Sequence, residues 1–402
     1  MRVNLSKPHI AFIGIWVLTY TLFRLRLTTN IVESTFNIDY LVGMSFASAF
    51  IIFSLLGTTT STHPLRNVTK TDYDGLIAFQ RLLGAFWVIG TAIDIAYSKG
   101  VPLLWAIQGN GRNYTEFGIP SFHGIVNAAY LFWVTSLFVN VLLTGRKRVL
   151  VWIAILLTWP LFMLGRGILL SAVVQMAGVY LMVRPVRVRG LVMIGAMTFL
   201  GIIAFGYMGD LRSGGQVLAY LAERDSILTK LPSGFLWVYV YITTGINNVA
   251  NSINHIEPLG QPFFSILNLL PSVFRMGLDG ENLNLGLMQI VDRNLNTSSF
   301  YSGYVSDFGM VGGLIAPCLL IVIASIAYRS GRNGKIGSLI AYSILFQCII
   351  FSPFNDMLLQ LPTLAQLVIG FICNCFLAIR GYAARRRMAA APAGVGQQHS
   401  AP

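Results

Sequence analysis

"FYSGYVSDFGMVGGLIAPCLLIVIASIAY", residues 300–328, joins a polar entry to a long apolar run and thereby decides the fold class. A helix from Met310 to Tyr328 rises about 1.5 Å per residue, which is enough to cross the roughly 30 Å of hydrocarbon in a bilayer. The run is one of many, because 55% of the 402 residues are hydrophobic and only 11% are charged. This composition excludes an ordinary soluble domain and predicts an all-α, polytopic integral membrane protein.

Ten apolar runs, of 15 to 26 residues, predict about ten transmembrane helices. Two shorter apolar pieces raise the number to twelve if they form a re-entrant pair; otherwise they lie along the membrane surface. The expected organisation is membrane helices in 1–208 and 303–380, a long periplasmic loop in 209–302 and a disordered basic tail in 381–402. The ten runs are 9–23, 39–57, 76–97, 122–143, 149–164, 167–183, 190–208, 303–328, 336–351 and 363–380, and the shorter pieces are 234–250 and 262–274.

The basic residues are distributed unevenly between the two sides of the membrane. With the N-terminus inside, one face carries 18 of the 28 Lys and Arg residues against only Asp72 and Asp74, and "GRKR" at 145–148 and "RSGRNGK" at 329–335 are typical of it. This satisfies the positive-inside rule and predicts two cytoplasmic termini. The net charge of +13 is therefore mainly a topology signal. Basic residues scattered over loops without interleaved aromatic residues argue against a nucleic-acid partner.

Ten basic residues fall on the outer face instead, and eight of them are arginines. They predict an anionic ligand at the membrane surface, apart from those that neighbouring acids neutralise. Arg166 in "LTWPLFMLGRGILLSAVVQ", 157–175, is a single charge between two apolar runs. Facing lipid would cost it about 2.5 kcal/mol or more, so it either faces protein, water or an anion, or extends to the lipid phosphates. Gly165 and Gly167 leave the backbone beside it open, and a guanidinium fits the paired oxygens of a phosphate.

The triplet Asp307-Phe308-Gly309 matches the DFG of protein kinases, but the chain lacks the Gly-rich loop, strand lysine and catalytic loop of a kinase. Tyr301, Tyr304 and Asp307 are spaced by three, so they share one helical face at the outer mouth of a membrane helix. Two interpretations stay open. The phenols contact a sugar, or they form an interfacial aromatic belt with an acid that favours the helix N-terminus.

Three blocks together resemble the Wzy-type family of O-antigen and oligosaccharide repeat unit polymerases. They are the hairpin with "LGRG" at 164–167, "WVYVYITTGINNVANSI" at 237–253 and "NTSSFYSGYVSDFGMVGG" at 296–313. The resemblance implies a C-type glycosyltransferase architecture in the bacterial inner membrane, with the active site facing the periplasm. It implies transfer of a growing glycan from undecaprenyl diphosphate onto a lipid-linked repeat unit, without a cofactor or metal. The implied partners are these lipid-linked oligosaccharides, membrane lipids and a chain-length regulator.

Two alternatives keep part of this interpretation: an O-antigen ligase of the same architecture, and a flippase or transporter of lipid-linked oligosaccharides. A transporter is expected to show charges at several mid-membrane positions and two similar halves. This chain shows neither pattern, because its charges gather at one face and its one long loop is late and unpaired.

On the polymerase interpretation the expected catalytic residues are Arg166, Arg275, Asp307 and His255. The expected substrate-binding residues are the outer arginines, aromatic residues and paired asparagines, namely Arg112, Arg212, Arg293, Tyr241, Tyr301, Tyr304, Asn247 and Asn248. The identity of a general base stays open among His255, Glu257, Asp279, Glu281 and Asp307, while His123 is interpreted as a hydrogen-bonded residue at a helix end. No cluster has metal-ligand spacing, and arginines are able to stabilise a diphosphate leaving group without a metal.

Overall fold

The computed structural model describes residues 5–58, 64–65, 68–184, 199, 203, 206, 221, 227–275, 285–293 and 295–390, and every regular element in these ranges is helical. The first seven helices are α1 Pro8–Leu25, α2 Phe36–Leu56, α3 Lys70–Ser98, α4 Pro102–Gln108, α5 Phe122–Thr144, α6 Arg148–Phe162 and α7 Arg166–Val183. The later ones are α8 Ser233–Ser252, α9 Tyr301–Arg332, α10 Ile336–Phe351 and α11 Leu361–Ala390. Short 3-10 turns at Tyr114–Glu116, Ile227–Lys230 and Leu267–Leu269 and one helical turn at Ser272–Arg275 complete the described elements.

Among the described residues, six stretches of helix are long and apolar enough to cross a membrane: α1, α2, α3 with α4, α5, α9 and α11. The apolar helices α6, α7 and α10 are shorter. Leu55, Val311 and Phe371 are 72, 67 and 68% exposed on three of the long helices, and lipid rather than water suits such an apolar exterior. Nine of the ten predicted runs coincide with these helices, and the tenth, 190–208, lies largely outside the described residues. The protein is thus all-helical in its described part and membrane-embedded.

Helix α10 lies at the centre of the bundle, where it packs against α7, α9 and α11. The crossing of α10 and α11 depends on two glycines. A Cβ placed on Gly337 would lie 2.3 Å from the Gly370 carbonyl oxygen, so a larger residue at 337 would force the two helices apart. Small residues at such crossings are what allows membrane helices to pack closely without a hydrophobic driving force.

The two short apolar pieces take different forms. The piece at 234–250 becomes α8, a helix of 20 residues that packs against α1. Its Tyr239 hydroxyl donates to the Leu22 carbonyl and accepts the Leu27 N–H, at 3.0 and 2.9 Å. The piece at 262–274 forms only turns. The two pieces therefore differ in form, and their placement as re-entrant or interfacial segments stays a prediction.

The predicted tail also differs from the structure, because α11 continues to Ala390 and includes the first ten residues of 381–402. The sequence "AARRRMAA" at 383–390 consists of strong helix formers, and alanine and arginine have among the highest intrinsic helix propensities. Helix α11 therefore includes these ten residues, while 391–402 lies outside the described part.

One end of the bundle collects the elements that carry the predicted site, and we call it the cavity end. Helices α3, α6 and α10 end there and α5, α7, α9 and α11 begin there. Gly124 at the start of α5 lies against Pro362 at the start of α11, with 3.6 Å between an ideal Cβ and the proline Cγ. The Phe300 N–H before α9 donates to the Ser352 carbonyl after α10 at 2.8 Å. The basic loops at 145–148 and 329–335 lie at the opposite end.

Candidate functional site

The α6–α7 hairpin is as tight as its sequence predicts. Only Met163, Leu164 and Gly165 separate the two helices, and Leu164 takes the left-handed conformation with φ 53°. The Gly165 N–H donates to the Pro160 carbonyl at 2.8 Å, which closes the turn. Helix α7 then begins at Arg166, whose side chain lies outside the described part. The hairpin thus fixes Arg166 at the first turn of a helix at the cavity end.

A cavity of about 560 Å³ lies directly beside this first turn. Its apolar lining, which we call the floor, comes from α7, α8, the end of α10 and the loop after α10. Its polar lining, which we call the rim, consists of residues 296–298 and Asn355. A mostly apolar cavity of this size with a few polar groups is typical of a ligand site. The lining residues are Gly167, Leu170, Val238, Tyr241, Ile242, Asn296, Thr297, Ser298, Phe351, Phe354, Asn355 and Met357.

Tyr241 is the predicted substrate-binding residue that reaches this cavity. It is 39% exposed on α8, and its ring stacks on that of Trp237 with centroids 6.1 Å apart. Gly167 lines the same cavity from α7. The structure therefore brings Tyr241 and the backbone next to Arg166 together, although 75 residues separate them in the chain.

The paired asparagines of α8 hold loops rather than line the cavity. Asn247 is buried, donates to the Asn30 carbonyl and accepts the Val32 N–H, both at 2.9 Å. Asn248 is also buried and donates to the Leu295 and Thr297 carbonyls at 3.0 and 2.8 Å. Since Thr297 lies on the rim of the cavity, Asn248 acts here as a positioning residue for that rim.

Asp307 anchors a loop. Its fully buried carboxylate accepts the backbone N–H groups of Phe263, Phe264 and Ser265 at 3.0, 2.9 and 2.9 Å. The Ser265 hydroxyl donates to the same carboxylate at 2.6 Å. Four donors on one carboxylate resemble an anion held in a nest of backbone amides. They engage both oxygens, so Asp307 is placed as a structural anchor more than as a base.

The rest of the DFG triplet interrupts α9. Phe308 and Gly309 have non-helical dihedral angles, and Gly309 has φ 59° and ψ −141°. This conformation is essentially restricted to glycine. The break allows the Ser306 and Asp307 carbonyls to accept the Leu259 and Gly260 N–H groups at 3.1 and 2.8 Å. The triplet that resembles a kinase motif thus locks the 259–265 loop onto the start of α9.

Tyr301 and Tyr304 share a face with Asp307, as the spacing predicts, and that face is turned to the interior. Tyr301 is fully buried against Trp16, and its hydroxyl donates to Ser45 at 2.7 Å. Tyr304 is 4% exposed and lies near the Asp356 carboxylate in the loop after α10. Burial raises the pKa of Asp356 to about 6. In this arrangement the two phenols are enclosed by protein and not displayed at the outer mouth.

The other predicted arginines are dispersed. Arg112 lies over the Trp105 ring at 4.0 Å, donates to the Ser98 carbonyl at 2.8 Å and pairs with Glu116 at 3.6 Å. Arg275 donates to Asn268 Oδ1 at 2.9 Å, and its Nε is buried without a hydrogen-bond partner among the described residues. Arg293 is exposed, and Arg212 lies outside the described part.

Of the candidate bases, His255 and Glu257 are both exposed and line a separate pocket of about 290 Å³ together with Ser252 and Gln289. Asp279 and Glu281 lie outside the described residues.

No protein-family model, curated protein or solved structure matches the chain.

Two buried polar clusters lie near the cavity end; sequence reasoning missed the first and, in the second, predicted a hydrogen-bonded His123 but not its partner Asp94. In one, Gln175 donates to Gln347 and Gln366 at 2.6 and 2.8 Å and accepts from Thr135 at 2.9 Å. This cluster joins α5, α7, α10 and α11 behind Met357 of the cavity, to which Gln347 donates at 3.3 Å. In the other, Asp94 pairs with His123 at 2.8 Å. The available signal was polar residues isolated in apolar runs, such as Asp94 in "TAIDIAY" at 91–97.

Proposed function

We propose that the protein polymerises lipid-linked oligosaccharides, transferring a growing glycan from a polyprenyl diphosphate onto a lipid-linked repeat unit. The observation that supports this most is the apolar cavity whose polar rim adjoins the first turn of α7. An apolar chain with a diphosphate head matches both parts of that site. The three sequence blocks that resemble the polymerase family also surround it: α7 provides Gly167, α8 provides Tyr241 and the 296–298 segment provides the rim.

In this proposal the lipid chain occupies the floor formed by Leu170, Val238 and Ile242, and the diphosphate lies at the start of α7. The free N–H groups and the positive end of the helix dipole favour an anion at that position. Arg166 is the first residue of the helix, and its guanidinium would add two parallel hydrogen bonds to the phosphate oxygens. As the anomeric carbon–oxygen bond breaks, these donors stabilise the negative charge that develops on the leaving diphosphate.

We also propose the number of membrane crossings and their orientation. Ten crossings follow if α6, α7 and α10 span the membrane with the six longer stretches and the 190–208 run supplies the tenth. The cavity end then faces the periplasm, because the basic loops at the other end belong in the cytoplasm. The architecture proposed is that of a C-type glycosyltransferase in the bacterial inner membrane.

The surface polysaccharide profile of a deletion strain tests the proposed function. A polymerase predicts that the outer glycolipid carries one repeat unit and no longer chains, and that the wild-type gene restores the ladder. Full-length polymer retained on the lipid carrier would indicate a ligase. Repeat units trapped on the cytoplasmic face would indicate a flippase. A ladder of wild-type length in the deletion strain would contradict all three.

A further inference from the structure

A polar cluster at the cavity end ties α3 to α5 through Asp94 and His123. Asp94 is only 1% exposed, and its Oδ2 lies 2.8 Å from His123 Nδ1. Its Oδ1 accepts the Ile119 N–H at 3.0 Å. On the other side of the ring, His123 Nε2 lies 2.7 Å from Asn127 Nδ2. A carboxylate in an apolar helix is costly and commonly marks function.

The partners of the imidazole determine which nitrogen carries the proton. Asp94 accepts hydrogen bonds, so the contact at Nδ1 requires a proton on that nitrogen. In the neutral imidazole Nε2 is then the nitrogen that can accept a proton. A buried carboxylate that holds Nδ1–H and leaves Nε2 as the basic atom is the arrangement by which proteins orient a histidine to activate a hydroxyl.

The backbone beside this ring is unusual at two positions. Ser121, next but one to the histidine, has φ 67°, which is strained for a residue with a Cβ, and Gly118 has φ 85°, which glycine adopts freely. A Cβ on Gly118 would lie 2.7 Å from the His123 side chain, so glycine allows the backbone to approach the ring. Strain of the kind at Ser121 concentrates at functional sites. The cluster is also incomplete, because Asn127 Oδ1 is buried with no hydrogen-bond partner among the described residues.

Phe117 connects the cluster to the hairpin that carries Arg166. The Phe117 ring meets the His123 ring edge to face, with centroids 5.2 Å apart. Phe117 in turn packs in one apolar cluster with Trp105 and Met163, and Met163 is the first residue of the hairpin turn. His123 is 23% exposed in its side chain, so the side chain is partly accessible.

We propose that His123 is the base that accepts the proton of the attacking sugar hydroxyl, with Asp94 as a positioning residue. This rests on the proposed polymerase function. The hydroxyl replaces the Asn127 amide at Nε2. Its proton passes to Nε2 as its oxygen bonds to the anomeric carbon, and the bond from that carbon to the diphosphate breaks with the electron pair on the leaving group. The imidazolium then releases the proton to water.

Three variants and one control variant test the proposal on lipid-linked repeat units extracted from the deletion strain. His123→Asn retains a donor toward Asp94 but has no basic nitrogen. We expect it to lose at least about a hundredfold in kcat, the usual contribution of a general base, while KM for the lipid-linked unit stays within about twofold. His123→Gly should regain activity with added imidazole, and substituted imidazoles should restore the rate in the order of their basicity. Asp94→Asn should lose activity without any rescue by imidazole, and Asp74→Asn, an exposed acid on the same helix, should match the wild type.

Wild-type elongation by His123→Asn would overturn the base assignment while leaving the polymerase proposal intact. If the rescue of His123→Gly did not depend on the basicity of the added imidazole, that result would also overturn the base assignment. It would indicate a purely structural role for His123. A deletion strain with normal polysaccharide would instead contradict the polymerase function itself. Abundance of each variant in the membrane is measured in parallel, and the imidazole series separates a missing base from a protein that fails to fold.

Discussion

Replacing Asp307 tests whether the DFG triplet is a structural anchor. The carboxylate receives three backbone N–H groups and one hydroxyl from residues 263–265. Hydrogen bonds to a charged group contribute about 1.5 to 3 kcal/mol each, but these four share one acceptor group and their contributions do not add fully. Removing one partner of a buried charged arrangement typically costs about 3 to 5 kcal/mol. We expect Asp307→Ala to lower the free energy of local opening of this loop by about 3 kcal/mol or more.

Hydrogen exchange measures this change at the three donors themselves. A loss of about 3 kcal/mol corresponds to exchange more than about a hundredfold faster at Phe263, Phe264 and Ser265 when exchange follows local opening. Asp307→Asn should show exchange rates between those of the wild type and Asp307→Ala. Its amide oxygen still accepts a hydrogen bond, while its NH₂ group faces a donor. Glu257→Ala, an exposed carboxylate near the same loop, serves as the control. Wild-type exchange rates in Asp307→Ala would refute the anchor.

Three further predictions concern the same region. Gly309→Ala should lower the melting temperature in detergent, because φ 59° with ψ −141° is strained for any residue with a Cβ. An unchanged melting temperature would mean that the backbone at the α9 break adopts other dihedral angles without cost. Leu170→Trp should fill the cavity and shorten the glycan chains at normal abundance, whereas Leu150→Trp on the α6 exterior should not, and equal effects would exclude the cavity as the lipid site. The native pKa of Asp356 is raised to about 6 from an ordinary value of 3.8, so the native state binds more protons and loses stability as pH rises through 4 to 6. Asp356→Asn should therefore be stabilised relative to the wild type more at pH 7.5 than at pH 4.5 in thermal unfolding, and a reversed order would contradict the shift.

Much of the fold follows from apolar length and charge sidedness. Nine of the ten runs appear as helices because a segment with no partner for its backbone except itself must be helical in lipid. The tight hairpin at Arg166 also follows, since only a few residues separate two apolar runs. The helix at 383–390 was missed because its arginines were counted as charge for topology and not as helix-forming residues.

The functional site was harder to predict. The spacing of residues shows which of them share a helical face, but it does not show which other elements that face contacts. Tyr301, Tyr304 and Asp307 do share a helical face, but tertiary packing of α9 against α1 and α2 turns it inward. The roles of Asn247 and Asn248 depend on backbone groups about 45 or more residues away in sequence. Asp94 and His123 lie on two different helices, α3 and α5. Their contact depends on the conformation of the segment between these helices, which no local sequence pattern specifies. Tyr241 was predicted because it lies in the aromatic-rich block 237–253, which resembles the polymerase family.

Reconstitution of the purified protein with lipid-linked repeat units as its only substrate tests the central claim most directly. The account predicts a ladder of products that grows in steps of one repeat unit, with one polyprenyl diphosphate released for each bond formed. It also predicts that Arg166→Lys, which keeps the charge but loses the two-pronged donor geometry, slows the ladder by roughly a hundredfold to a thousandfold. Binding of the lipid-linked unit without any elongation or diphosphate release by the wild type would contradict the claim, and so would an Arg166→Lys ladder equal to that of the wild type.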